Sequence, residues 1–453
     1  TNAALGKQAL NANTTGANNT ACGAYCLDAN TTGNSNVAVG RGALGANTTA
    51  SDNTAVGNNA LEVNTTGANN VAVGSTALDS NTTGNENTAI GKGALQANTT
   101  GTGNTAVGAL AGKMTSTSDY NCAFGQEALE ANTTGDYNVA IGYQALEEST
   151  TADYNIAIGS YALDDNSTGH SNVAIGHQAL DANTSGAENT AIGRGALAAT
   201  TTTHGKTAVG YNALTANTSG NYNTAVGAYA GDAITEGGGN TLMGYWAGST
   251  ISTANNNTYV GYYAGWASTT GYQNTCLGTY AGYQLTTGLN NCFVGYSAGQ
   301  SGSPAGSITT GSNIVCLGND NITDIYCADT SISGSDSRDK TDITNFTHGL
   351  DWVNKLQPKT YVWDKRSWYG TDEKPLGTPD GSKKKSKVNI GFLAQDVLAI
   401  EQADGFSTNK DNMLTVNLTE DEERYGLKYE RLVPVLVNAI KELSAKVAAL
   451  EAK

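Results

Sequence analysis

The segment Ser335–Ile343 (SDSRDKTDI) places a hydroxyl at Ser335 five residues ahead of an amine at Lys340. A serine hydroxyl needs a nearby base to become a nucleophile, and a lysine can serve when burial lowers its pKa. On spacing alone, Ser335 equally fits a turn residue and Lys340 a solvated charge. Little else in the chain is equipped for chemistry. Gly108–Lys113 (GALAGK) is one residue short of a phosphate loop and lacks the Ser or Thr after the lysine. There is no HExxH, no GxSxG, no calcium-binding nonapeptide and no Cys/His cluster at zinc spacing, so no metal or cofactor is expected. Cys22, Cys122 and Cys292 fall on repeat positions and read as small core residues. Residues 1–334 show no gathered pair of carboxylates of the kind glycan cleavage needs.

One period sets the elements that carry these groups. A glycine recurs every 17 residues from Gly6 to Gly295, eighteen times without a slip. A structure that stacks one turn per repeat must hold such a register, because an inserted residue would misalign every later coil. Asn stands four residues before the glycine in 17 of the 18 repeats, the exception being Lys206. The unit reads N-[TV]-A-[VI]-G-x-x-A-L-x-A-N-T-T-G-x-x. β-Branched residues alternating with small ones predict a very short strand, and Asn, Thr and Gly supply corners. The expected fold is mainly β: a parallel β-solenoid or β-roll of 17-residue coils over 1–300, with Val/Ile, Ala and Leu stacked in core ladders. At about 4.8 Å per strand, eighteen coils make a rod of roughly 85 Å. Its core is thin, so association of several copies is expected. Asn-Thr-Thr or Asn-Thr-Ser at Asn13, Asn30, Asn47, Asn64, Asn81, Asn98, Asn132, Asn183 and Asn217 also matches the glycosylation acceptor, although one shared repeat position points to turn formation.

Composition narrows the class. Residues 1–334 hold 6 Lys+Arg against 21 Asp+Glu, and residues 335–453 hold 18 against 19. An acidic shaft is not expected to bind nucleic acid, and no apolar run reaches the roughly 20 residues of a membrane span. Thr1 falls in mid-repeat, so a longer chain with a preceding segment is expected. After about residue 222 the unit shifts to G-Y-x-A-G. Tyr245, Trp246, Tyr262, Tyr263 and Trp266 then read either as a row of aromatics for stacking on sugar rings or as larger side chains packing a wider or inter-chain core.

Beyond residue 334 the sequence becomes an ordinary globular mixture. SDSRDKTDI, LQPKTYVWD (Leu356–Asp364), IGFLAQDV (Ile390–Val397) and YERLVPVLVNAIKEL (Tyr429–Leu443) follow in order. Together they resemble the intramolecular chaperone of endosialidase type at the C-terminus of phage tail fibres and tailspikes. The repeat N-[TV]-A-[VI]-G-x-x-A is similar to the head repeat of trimeric autotransporter adhesins. The first resemblance implies an α+β domain that trimerises, guides folding of the upstream fibre and cuts itself off at Gly334–Ser335. It implies Ser335 as nucleophile, Lys340 as base, and Asp336 and Arg338 as supporting residues; Asp339 departs from the apolar residue usual before the lysine. Independently, Val433, Leu436, Ile440, Leu443, Val447 and Leu450 follow the 3-4-3-4-3 spacing of a coiled-coil seam. Lys383, Lys384, Lys385 and Lys387 read as a solvated loop.

The expected organisation is a shaft over 1–300, a β connector over 301–334 and a chaperone over 335–453 that ends in a helix over 429–453. The expected function is a homotrimeric viral tail fibre, on the virion and extracellular, that attaches to a host-surface receptor, foremost a glycan. The alternative is a bacterial adhesin or surface filament that uses the same module. Any enzymatic activity is expected to be autocatalytic serine endopeptidase cleavage of its own chain.

Overall fold

The computed structural model describes residues 1–322, 340–370, 376–418 and 422–452. The chain is a parallel β-solenoid of about 17 turns followed by a small α+β region ending in a helix. It divides into two units, Thr1–Thr279 with Leu289–Asn291, and Tyr280–Gly288 with Cys292–Lys453.

In the first unit, three-residue strands from β1 (Ala3–Leu5) to β17 (Thr275–Leu277) occur once per coil. Each pairs parallel and in register with the next, as in Ala21↔Ala38 and Ala38↔Ala55. The unbroken period has a steric cause. Gly57 adopts φ +143°, and a Cβ there would lie 2.3 Å from the carbonyl oxygen of Gly74 in the next coil. No other residue fits.

The strand faces inward through its alanine. Ala38, Ala55 and Ala72 are fully buried, whereas flanking residues such as Val37, Val39 and Ile90 point outward. This corrects the expected core ladders: Ala and Leu stack inside, and the Val/Ile column lies on the outer surface. The coil is tight, with three left-handed residues in the turn after Gly57, namely Asn59 (φ 58°), Leu61 (φ 51°) and Asn69 (φ 61°). The space it encloses is filled by Ala55, Ala60 and Leu61. The cysteines follow the same rule: Cys26, Cys276 and Cys316 are buried, and Cys22, Cys122 and Cys292 sit half-buried on the outward strand positions.

Two asparagine ladders replace what the small core lacks. The N–H and Nδ2 of Asn36 donate to Asn19 Oδ1 at 2.9 and 3.2 Å, and Nδ2 also donates to Ala50 O at 2.9 Å. At the Asn-Thr-Thr corner, Asn47 Nδ2 donates to Asn30 Oδ1 at 2.9 Å and to Ala50 O at 3.1 Å. Buried amides must find partners, and here each coil supplies them to the next. Eight of the nine acceptor-like asparagines, all except Asn13, are fully buried, so a glycan has no room on them in the folded coil.

The repeat shift after residue 222 is a repacking of the core. Gly231, Gly248 and Gly265 take the left-handed place held elsewhere by Leu. Leu242 and Tyr259 at the strand centre, and Ile234 and Ile251 at the asparagine corner, refill the space. A Cβ on Gly265 would lie 2.3 Å from the Tyr259 ring, whose hydroxyl donates to Ser268 Oγ at 3.0 Å.

In the second unit, β18 (Cys292–Val294) pairs with β19 (Val315–Leu317), so Cys292 opposes Val315 and this coil is 23 residues long. The α+β region contains α1 (Leu350–Lys355), β20 (Lys359–Tyr361) antiparallel to β21 (Asn389–Gly391), α2 (Ala394–Ala403), the hairpin β22 (Val416–Leu418) and β23 (Tyr425–Leu427), and α3 (Val433–Glu451). Val397, Leu398 and Val416 form its core with Leu356, Phe392, Met413 and Leu427. Tyr429–Leu432 is a 3-10 turn, and α3 begins after it with Pro434 in its first turn, where a missing N–H costs nothing. No described helix is long and apolar enough to cross a membrane.

Candidate functional site

The residues with implied chemistry divide between two regions. Gly334, Ser335, Asp336 and Arg338 lie outside the described residues, and Lys340 is exposed. Downstream, α1 packs against α3. Val435 and Ala439 of α3 are buried, and Asn438 Nδ2 donates to Phe346 O at 2.7 Å. Trp352 is buried among Phe346, His348 and Phe406, and its Nε1 donates to Asp404. Asp404 also lies 3.6 Å from Lys355, and His348 Nδ1 lies 2.9 Å from Asp351, whose carboxyl this hydrogen bond holds low. Glu401, fully buried, accepts from the Thr415 N–H at 2.8 Å and from the hydroxyls of Thr415 and Ser407, tying α2 to the segment before β22.

The other face of α3 is bare. Val433, Leu436, Ile440, Leu443, Val447 and Leu450 are all exposed, Ile440 at 66% and Leu450 at 68%. The helix therefore packs on its own domain through one face and leaves a second, apolar face open.

Residues 335–406 match the family described as the chaperone of endosialidase. The chain thus carries this chaperone domain directly after a β-solenoid. No curated protein and no solved structure matches the chain.

The aromatic residues upstream form one contiguous surface. Tyr245 and Tyr262 stack at 5.7 Å; Trp246 lies 5.6 Å from Tyr263, and Tyr263 lies 6.2 Å from Trp266. Tyr245 and Tyr262 are exposed, while Trp246, Tyr263 and Trp266 are half-buried against their neighbours. A second row escaped the sequence reading. Tyr120, Tyr137 and Tyr154 stack nearly parallel at 5.4 and 5.2 Å.

Carboxylates are gathered after all, which corrects the expectation of none in 1–334. Glu127, Glu130 and Glu147 bring their oxygens within 4.8 Å of one another, and Lys113 caps the group 2.9 Å from Glu130. One coil on, burial and the neighbouring Glu147, Asp181 and Asp165 push the Asp164 carboxyl up to about 7. Burial, then neighbouring acids, raise Glu147 and Asp181 as well. Residues 17 apart share a column, so the signal was present in the sequence once wrapped at that period. The lysine loop, although exposed, also lies on aromatic rings, with Lys385 4.9 Å from the Trp368 ring centre and Lys383 5.2 Å from that of Tyr369.

Proposed function

We propose that the chain is a homotrimeric fibre for attachment to a host surface, extracellular and borne on a virion tail, whose C-terminal chaperone directs trimer folding. The observation that carries this reading is the outward column of Val39, Ile90, Phe124, Ile141, Ile192 and Met243 along the strands. It is a long apolar strip on a protein with a thin core, and strips of that kind mark association surfaces. The bare seam of α3 supports association from the other end of the chain, and the count of three rests on the resemblance to the trimeric chaperone family. Attachment rests on the surface around Tyr245 and Tyr262, whose aromatic edges and faces suit sugar rings.

In this reading Ser335 Oγ attacks the Gly334 carbonyl carbon while Lys340, exposed in the single chain and so dependent on the partner copies for the burial a lysine base needs, takes its proton. The peptide bond breaks as the Ser335 amine takes a proton, and water hydrolyses the resulting ester to leave a free Gly334 carboxylate. The test is expression of the whole chain beside residues 1–334 alone. The whole chain should give soluble, protease-resistant fibre and the truncated chain aggregates; equal yields of folded fibre from both would contradict a chaperone role.

A further inference from the structure

We propose that Arg424 and Lys365 form a non-covalent latch that seats the chaperone on the terminal coil, independently of the backbone that joins them. The proposal rests on reading the C-terminal region as a folding module, and it adds what holds that module in place. The terminal coil passes through Ser301–Ser303 and returns at Asp320, whose N–H donates to Gly302 O at 2.7 Å. Arg424 Nη1 donates to Ser303 O at 2.6 Å and to Asp320 Oδ2 at 2.8 Å, and Nη2 donates to Ser301 O. Lys365 Nζ donates to Asp320 O at 2.8 Å, and burial lowers the pKa of this lysine. The Arg424 and Asp320 side chains are only 15% and 10% exposed.

The acceptors come from two stretches of chain that meet only when the coil has closed. The guanidinium therefore recognises a finished coil and not an extended chain. Every acceptor lies upstream of Gly334–Ser335 and both cations lie downstream, so a cut there removes the covalent link and leaves the latch intact. The remaining contact is not sealed. A cleft of about 690 Å³, lined by Tyr280, Tyr296, Gln300, Asn319 and Trp368 among others, lies beside it. Among the described residues these charged bonds are nearly buried, so removing one partner strands the other desolvated.

The test uses the full chain carrying Ser335→Ala, with a protease recognition sequence inserted between residues 323 and 333, so that cutting is independent of any self-cleavage. After cutting, the module should co-elute with the shaft on size exclusion. With Arg424→Ala added, retention should weaken about a hundredfold or more and the module should elute separately. Circular dichroism before cutting checks that this variant is folded, and Asp320→Ala provides a second route to the same loss. Release of the module from the unsubstituted chain overturns the latch. Retention despite both substitutions overturns the assignment to these residues. Neither result touches the chaperone reading, which is tested by fibre yield.

Discussion

Lys206 Nζ donates a hydrogen bond to Thr200 Oγ1 at 3.0 Å inside the solenoid, and both residues stand where the flanking coils have asparagine. Their neighbours in the two ladders are Asn183 and Asn217, and Asn189 and Asn223. The exchange leaves a defect. Asn183 Oδ1 and both polar atoms of the Asn217 amide are buried without a hydrogen bond. Lys206 itself is 1% exposed, and burial pushes its pKa down to about 7.

The double substitution Thr200→Asn with Lys206→Asn should therefore raise stability at pH 7 by about 2 kcal/mol, the order of one buried polar atom regaining its partner. The lysine binds its proton more weakly folded than unfolded, so its contribution to stability falls as pH drops from about 10.5 to 7. The advantage of the variant should shrink toward pH 10. Thermal melts at both pH values check this, and a gap that widens toward pH 10 would contradict it.

The carboxylate column has the opposite pH signature. Asp164 holds its proton more tightly folded than unfolded, so its stabilising contribution is present below about pH 4 and lost as pH rises through about 7. Glu147 and Asp181 are shifted in the same direction. Asp164→Asn should raise the melting temperature at pH 8 and leave it nearly unchanged at pH 4. An equal effect at both pH values would show that the column does not repel as described.

The seam of α3 can be tested without disturbing the fold of a single chain. Ile440 is exposed there, so Ile440→Glu should cost an isolated chain less than about 0.5 kcal/mol. In a trimer it would bury three like charges and should reduce the native mass to that of one chain. Ala445→Glu, also exposed on α3 and outside the seam, is the control and should leave the mass unchanged. Identical behaviour of the two variants would remove the seam from the assembly.

Self-cleavage has a direct readout in denatured mass. The freshly expressed chain should yield a product ending at Gly334, and Ser335→Ala and Lys340→Ala should both abolish it. An intact 453-residue chain in all three would contradict self-cleavage and leave the C-terminal domain covalently attached.

The sequence makes some of this structure legible and hides the rest, for physical reasons. The glycine period translates directly into coils because backbone meets backbone at Gly57 and its equivalents, leaving no freedom to slip. Alternation in Val37-Ala38-Val39 announces a strand but not which phase faces inward. That is decided by how little space a 17-residue turn encloses, and alanine wins over the larger valines. Tyr259 lies in the same aromatic-rich stretch as the exposed Tyr262, yet it is core, because Gly265 vacates the volume that its ring fills. The column through Glu130, Glu147 and Asp164 is scattered along the chain and becomes a group only in three dimensions. Arg424 and Asp320 are 104 residues apart, and no local pattern joins them.

The most direct test of the central claim is the native mass of the full chain, measured by light scattering or sedimentation at low micromolar concentration. The outward apolar column and the open face of α3 predict association, and the resemblance to the trimeric chaperone family sets the expected species at three times the 46.4 kDa chain. A monodisperse single chain with the same circular dichroism would show that both apolar surfaces face water, and would contradict the trimeric fibre.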